Sequence, residues 1–220
     1  MSAVPVIAID GPSASGKGTV AQRVARTLGF HHLDSGALYR LVALEATRKG
    51  IAAGDEAAVA ALALALPVRF EGDAIFLMDE PVTEAIRTEE CSAAASFVAA
   101  LPGVRQALLW RQHALRQPPG LVAEGRDMGS VVFPDAKLKL FLTASLEARA
   151  ERRHKQLKAQ GIAATLAALL QDLRERDARD ATRSVAPLKQ SPGARLLDTT
   201  SMSAEQAAAQ IVGWYREGNR

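Results

Sequence analysis

The 220-residue sequence predicts an α/β fold, a five-stranded parallel sheet flanked by helices with a small antiparallel β insert. Three observations carry that expectation. Five short apolar runs recur along the chain, and segments of helical spacing separate them. A glycine-rich turn joins the first run to the first helix. Only residues 67–82 break the rhythm, with two strand-like runs set back to back.

Residues 4–10 are apolar as far as Asp10 and Gly11, which reads as a buried strand. Residues 19–28 then keep helical spacing, with Gly29 as the stop. A second short strand over 31–34 leads into "DSGALYRLVALEATRKG", where Leu38, Leu41, Val42 and Leu44 repeat helically until Gly50. Asp55 is placed to cap an Ala/Leu-rich helix that ends before Pro67. "PVRFEGDAIFLMDEPV" holds two strand-like runs around Gly72-Asp73, the signal for an antiparallel hairpin, and the insert it opens extends to about residue 100. "GLVAEGRD", "LKLFLTAS" and "ARLLDTT" supply the remaining three parallel strands.

Composition narrows the class. A chain of this length with 48% hydrophobic residues can bury one sizeable core. The longest apolar-rich stretch, 57–66, is far short of a membrane span, and no basic segment followed by a long apolar core opens the chain. A cytoplasmic protein, with no membrane partner, is expected. Cys91 is the single cysteine and reads as a small buried hydrophobe. The net charge of +3 is unevenly placed: residues 149–183 hold nine Lys/Arg against five Asp/Glu. Such a region suits nucleic acid, an anionic ligand or a solvated helix face.

"GPSASGKGT" fits G-x-x-x-x-G-K followed by Gly-Thr, in the strand-to-helix setting such a phosphate-binding loop requires. Gly11, Pro12, Ser13, Ala14, Ser15, Gly16, Lys17, Gly18 and Thr19 are therefore expected to hold the phosphates of a nucleoside triphosphate. Glycines allow successive backbone N–H groups to converge on phosphate oxygens, and the helix that follows adds its positive N-terminus. Lys17 supplies a mobile charge to the outer phosphates, and Thr19 can place its hydroxyl on Mg²⁺. A GTPase is disfavoured, since the one asparagine is Asn219 and no N-K-x-D or D-x-x-G motif occurs.

The rest of the chain repeats arginine beside acid. "DSGALYR" places Ser35 and Arg40 after the second strand, and "EGRDMGSVVFPDA" places Arg126 and Asp127 after the third. Both positions lie at C-terminal strand ends, where open parallel sheets bind ligands. "RERDARDATR" sets Arg176, Asp180 and Arg183 at i, i+4 and i+7, on one helix face, with a solvated row of paired charges as the alternative. Moving a phosphoryl group onto a second phosphate joins two anions, so charge neutralisation and in-line positioning outweigh any general base. Planar guanidiniums meet that need.

Gly18 between Lys17 and Thr19 is similar to the loop of nucleoside monophosphate kinases. With "LDSGALYR", "EGRDMGSVVFPDA", "RERDARDATRSVAPL" and "LDTTSMSAEQ", essentially the whole chain resembles the bacterial-type cytidylate kinase family. The resemblance implies a single P-loop kinase domain over 1–220, with a core at about 1–40 and 101–220. It also implies a monophosphate-binding region with the β insert at about 41–100, and a lid at about 149–165. It implies that Lys17 and the guanidiniums of Arg126 and Arg183 act in phosphoryl transfer, and that Arg40, Arg126 and Arg183 hold the CMP phosphate. Asp180, with Arg176 near it, would hold the ribose, and Ser35, Ser96, Arg105 and Asp127 would read cytosine. A polar helix surface remains the alternative for Ser96 and Arg105, and a partner for Arg126 the alternative for Asp127. In the lid, Arg149 and Arg153 lie one helical turn apart, and either can reach the transferring group.

The implied partners are ATP, CMP and dCMP, with no nucleic acid, and no coiled coil or apolar stripe demands more than a monomer. Another small-molecule P-loop kinase, acting on UMP or shikimate, is the first alternative. A nucleic-acid-binding module is the second, disfavoured by interspersed acids and an aromatic content of 5%.

Overall fold

The structure, a computed structural model, describes residues 4–71, 74–159 and 161–218. The chain divides into two compact units, Met1–Leu33 with Leu115–Arg220, and Asp34–Ala114.

The first unit is built on the parallel sheet. Its strands are β1 (Val6–Asp10) and β2 (His31–Asp34), then, after the second unit's segment, β6 (Leu121–Gly125), β7 (Leu138–Thr143) and β8 (Arg195–Asp198). They lie in the order β2-β6-β1-β7-β8. β1 is central and buried at every position, as a parallel strand covered on both faces must be. It pairs in register with β6, Val6 facing Leu121, and with β7, Ile7 facing Leu138. Helix α1 (Lys17–Leu28) follows β1, and Gly29 ends it in the left-handed conformation, its N–H closing on the Ala25 and Arg26 carbonyls. Helix α8 (Ala204–Glu217) starts from a reciprocal capping box between Ser203 and Gln206. Val20, Ala21 and Val24 of α1 and Ala207, Ile211 and Val212 of α8 pack with Ile7, Ile9, Leu140 and Leu142 of the sheet in one core cluster. A second cluster joins helices α6 (Leu146–Ala159) and α7 (Leu166–Thr182) through Ala150, Leu157, Leu169 and Leu173.

The second unit holds helices and the small sheet. Asp34 caps α2 (Ser35–Arg48) through the Ala37 N–H, and Asp55 caps α3 (Glu56–Ala65) through the Ala58 N–H, the role its position predicts. The predicted hairpin is β3 (Val68–Glu71) with β4 (Ala74–Leu77), paired antiparallel. Its Gly72-Asp73 turn lies outside the described residues. A third strand, β5 (Glu80–Pro81), joins them and is an addition to the expected pair. At two residues, one of them proline, it has no periodicity to display, and it lies at the edge that proline tolerates. A 3-10 turn (Ala85–Arg87) leads to α4 (Glu89–Val98) and α5 (Pro102–Ala114). The Gly103 N–H donates to Glu56 Oε1 at 2.6 Å, which ties the start of α5 to α3. No single helix among the described residues is long and apolar enough to cross a membrane.

Candidate active site

Within the first unit, the C-terminal strand ends carry the chemistry-bearing residues. The phosphate loop leaves β1 at Gly11, where a side chain is impossible: a Cβ would lie 2.1 Å from the Leu142 carbonyl oxygen of β7. The loop then turns through two left-handed residues, Ala14 at φ 57° and Gly16 at φ 88°, the latter forming the N-cap of α1. For alanine that conformation costs about 1 kcal/mol. Neighbouring groups hold it. Ala14 packs against the α6–α7 cluster, Arg149 Nη1 donates to the Ser13 carbonyl at 3.1 Å, and Arg152 Nη1 donates to the Ser15 carbonyl at 3.1 Å. Lys17 Nζ reaches the Pro12 carbonyl at 3.2 Å, which folds its ammonium back over the loop. Ser15 Oγ is buried with no hydrogen-bond partner among the described residues. Thr19 is exposed on the first turn of α1.

The loop after β6 is fastened to the end of β1. Asp10 is 1% exposed and accepts from the Met128 and Gly129 N–H groups at 2.7 and 2.9 Å. Burial pushes its carboxyl up to about 6; the two N–H donors oppose that rise, Asp127 adds to it and Arg126 lowers it. A π-helical turn (Met128–Val132) follows, and Val131 N–H donates to the Asp127 carbonyl at 2.9 Å. Asp127 is buried.

Arg126 and α7 meet in a charged cluster. Arg126 Nε donates to Asp180 Oδ2 at 2.7 Å, with side chains 15% and 8% exposed. Burial alone would raise the Asp180 carboxyl, but the Arg126 charge and hydrogen bond, with Arg176 and Arg183 nearby, hold it below its usual value. Arg183 is the C-cap of α7, one residue past the helix, with its N–H still closing on the Arg179 carbonyl, so it borders the face that Arg176 and Asp180 share. Its Nε donates to the Ala186 carbonyl.

Of the two arginines expected in a lid, Arg149 is buried, bidentate on Asp177 at 3.1 and 2.6 Å, while Arg153 bonds Gln156 on α6. Sequence reasoning passed over Arg152, Asp10 and Thr199. Arg152 stood one residue from Arg153 with nothing to separate their roles, and Asp10 read only as the end of a strand. Thr199 meets Ser15 184 residues away in sequence, and no local signal carries that.

The second unit carries four further candidates, Arg40, Ser35, Arg105 and Ser96. Arg40 pairs with Asp34 at 2.7 Å while the other Asp34 oxygen caps α2. The Arg40 carbonyl accepts from Cys91 Sγ at 3.3 Å, which makes Cys91 a buried packing residue, its thiol pushed up by burial. Ser35 is buried at the start of α2. Arg105 is not on a helix surface. It is 8% exposed, donates to the Ala99 carbonyl at 3.1 Å and lies over the Tyr39 ring. Ser96 Oγ on α4 is buried with no hydrogen-bond partner among the described residues.

A family model described as Cytidylate kinase matches residues 7–217. The chain belongs to the cytidylate kinase family. A curated cytidylate kinase of Chromobacterium violaceum is 59% identical over 214 residues, covering 97% of this chain and 96% of the relative. One of Bordetella bronchiseptica shows the same identity and coverage. A solved gluconokinase from Sinorhizobium meliloti superposes with a TM-score of 0.50 at 15% identity, covering 99% of this chain and 94% of that one, a likeness of fold. The phosphate loop, the Arg126-Asp127 loop and the α7 cluster all fall within the stretch matched to the cytidylate kinase family.

Proposed function

We propose that this protein transfers the γ-phosphoryl group of ATP to CMP or dCMP, giving ADP and CDP or dCDP. The observation that carries the reading is the joining, in a cytidylate kinase family member, of a phosphate loop to an arginine-bearing acceptor loop through Asp10. An ionised phosphate oxygen of the acceptor attacks the γ-phosphorus. The bond to the β,γ-bridging oxygen breaks, and ADP leaves with the electron pair. The loop N–H groups and Lys17 hold the ATP phosphates, and Ser15 Oγ, buried and unpartnered among the described residues, gains an acceptor there. Arg40, Arg126 and Arg183 hold the acceptor phosphate, and Arg126 is oriented for this by its bond to Asp180. Asp180, kept ionised by its arginines, accepts from ribose hydroxyls with Arg176 beside it.

Base selection falls to Ser35, Ser96, Arg105 and Asp127. Asp127 and a hydroxyl accept from the exocyclic amine of cytosine, and Arg105 donates to the ring acceptors. UMP would set a carbonyl against the Asp127 carboxylate and leave both unpaired. The burial of Asp127 and Arg105 and the unpartnered Ser96 hydroxyl support this.

Mg²⁺ fits as a companion of the nucleotide. No group of three or more His, Cys, Asp or Glu among the described residues could hold a metal, and Thr19 offers one hydroxyl, so phosphate oxygens and water complete its shell. The ion supplies charge neutralisation at the transferring phosphates. Segment 149–165 acts as a lid, with Arg153 the arginine that turns toward the phosphoryl group and Arg149 the one that holds the base of α6. We place the enzyme in the cytoplasm, in pyrimidine nucleotide metabolism, as a monomer that does not bind nucleic acid. Family membership disfavours UMP or shikimate as the principal acceptor. Phosphorus NMR of ATP with CMP tests the chemistry: a β-phosphoryl signal of CDP must grow as the γ signal of ATP falls. Release of inorganic phosphate alone would refute it.

A further inference from the structure

Thr199, just past β8, is buried and placed against the phosphate loop. Its Oγ1 lies 3.2 Å from the Ser15 carbonyl oxygen and 3.0 Å from the Thr143 carbonyl oxygen. A hydroxyl has one proton to donate. The Thr143 carbonyl already accepts from the Thr199 backbone N–H at 2.8 Å and the Ser15 carbonyl from Arg152, so the hydroxyl is a second donor within reach of Ser15. Arg152 completes the arrangement. Its Nη1 donates to Ser15 O at 3.1 Å and to Thr199 Oγ1 at 3.2 Å, and its Nη2 donates to the Thr199 carbonyl.

In a trans peptide the carbonyl and the following N–H point to opposite sides. Two donors fixed on Ser15 O therefore fix the direction of the Gly16 N–H, the donor at the N-cap of α1 where an anion is best received. Gly16 sits at φ 88°, a conformation a free loop would leave readily, so the direction needs an external hold.

We propose that Thr199, acting with Arg152, is a positioning residue that orients the Ser15–Gly16 peptide so that its N–H is presented to the ATP phosphates. The proposal rests on the reading that this loop binds ATP. Thr199 touches neither substrate. It acts through the peptide plane, so its removal weakens the ATP side and leaves the acceptor side alone.

The test compares wild type, Thr199→Val, which keeps the shape without the hydroxyl, and Thr199→Ser, which keeps the hydroxyl. KM for ATP and for CMP, ATP affinity by calorimetry, and Tm are measured for each. Thr199→Val is expected to raise KM and Kd for ATP about five- to twentyfold, the effect of one hydrogen bond or slightly more, with KM for CMP within about twofold of wild type. Thr199→Ser is expected to restore ATP binding to within about twofold. Should Thr199→Val not fold, Thr199→Ala carries the same comparison. An unchanged KM for ATP in the valine variant overturns the proposal. So does a parallel rise of both KM values with a fall in Tm, or a serine variant as impaired as valine. A wild-type protein that binds no ATP would instead contradict the functional reading beneath it, and the wild-type titration separates that failure from the others.

Discussion

Asp10 shows how a single buried carboxylate can serve the site at a cost to the fold. Its carboxyl is raised to about 6, above its value of 3.8 in an unfolded chain, so the native state binds the proton more tightly. Stability from this group is then fully present at acid pH and is lost as pH rises from about 4 to about 6. The shift corresponds to roughly 3 kcal/mol. The stability of wild type relative to Asp10→Asn, from urea unfolding, is expected to fall by about that amount between roughly pH 4 and pH 7; a difference constant with pH would contradict it. Gly11 beside it fails differently. A methyl group 2.1 Å from a backbone oxygen cannot be relieved by side-chain rotation. Gly11→Ala is expected to cost at least about 2–3 kcal/mol in chemical unfolding. The need for Gly11 was legible in its motif, but its reason, the neighbouring strand β7, was not. Asp10 left no signal because its partners, the Met128 and Gly129 backbone, are more than a hundred residues away.

Helices α6 and α7 behave as one support for the phosphate loop, through Arg149, Arg152 and the Ala14 contact. The roles proposed for Arg149 and Arg153 therefore separate by experiment. Arg149→Ala breaks a pair whose arginine is buried and whose aspartate is 29% exposed on its side chain, so a loss of about 2 kcal/mol and a lower Tm are expected. Arg153→Ala is expected to leave Tm within about 1 °C and to lower kcat by roughly a hundredfold. The reverse pattern would exchange their roles. Helical spacing foresaw the Arg176 and Asp180 face and carried the helix one residue too far, to Arg183, because sequence identity does not separate a cap residue from a helical one. The pairing of Asp180 with Arg126 depends on tertiary placement and has no trace in the α7 sequence alone.

At the scale of the whole chain, alternating apolar runs and helices were enough to predict the five-stranded sheet: burial on both faces marks β1 and β6 at every position, while the edge strands β2 and β8 each bury only one residue and are placed by the helices that flank them. The division into two units and the third insert strand were less legible, because they depend on which helices pack together and on a two-residue edge pairing. For the candidate site, residue types and motif positions were readable, whereas orientation was not. The proposed base reading can be tested by exchange. Asp127→Ala is expected to reduce kcat/KM for CMP about ten- to a hundredfold while changing UMP far less, so that discrimination collapses. An unchanged ratio would remove Asp127 from base recognition. The central claim meets its most direct test in ADP release by the wild-type protein with Mg·ATP and CMP, dCMP, UMP, AMP, GMP or no acceptor, at matched concentrations. Turnover with CMP and dCMP far above all others is the predicted result. Equal rates with UMP, or no dependence on any acceptor, would contradict it.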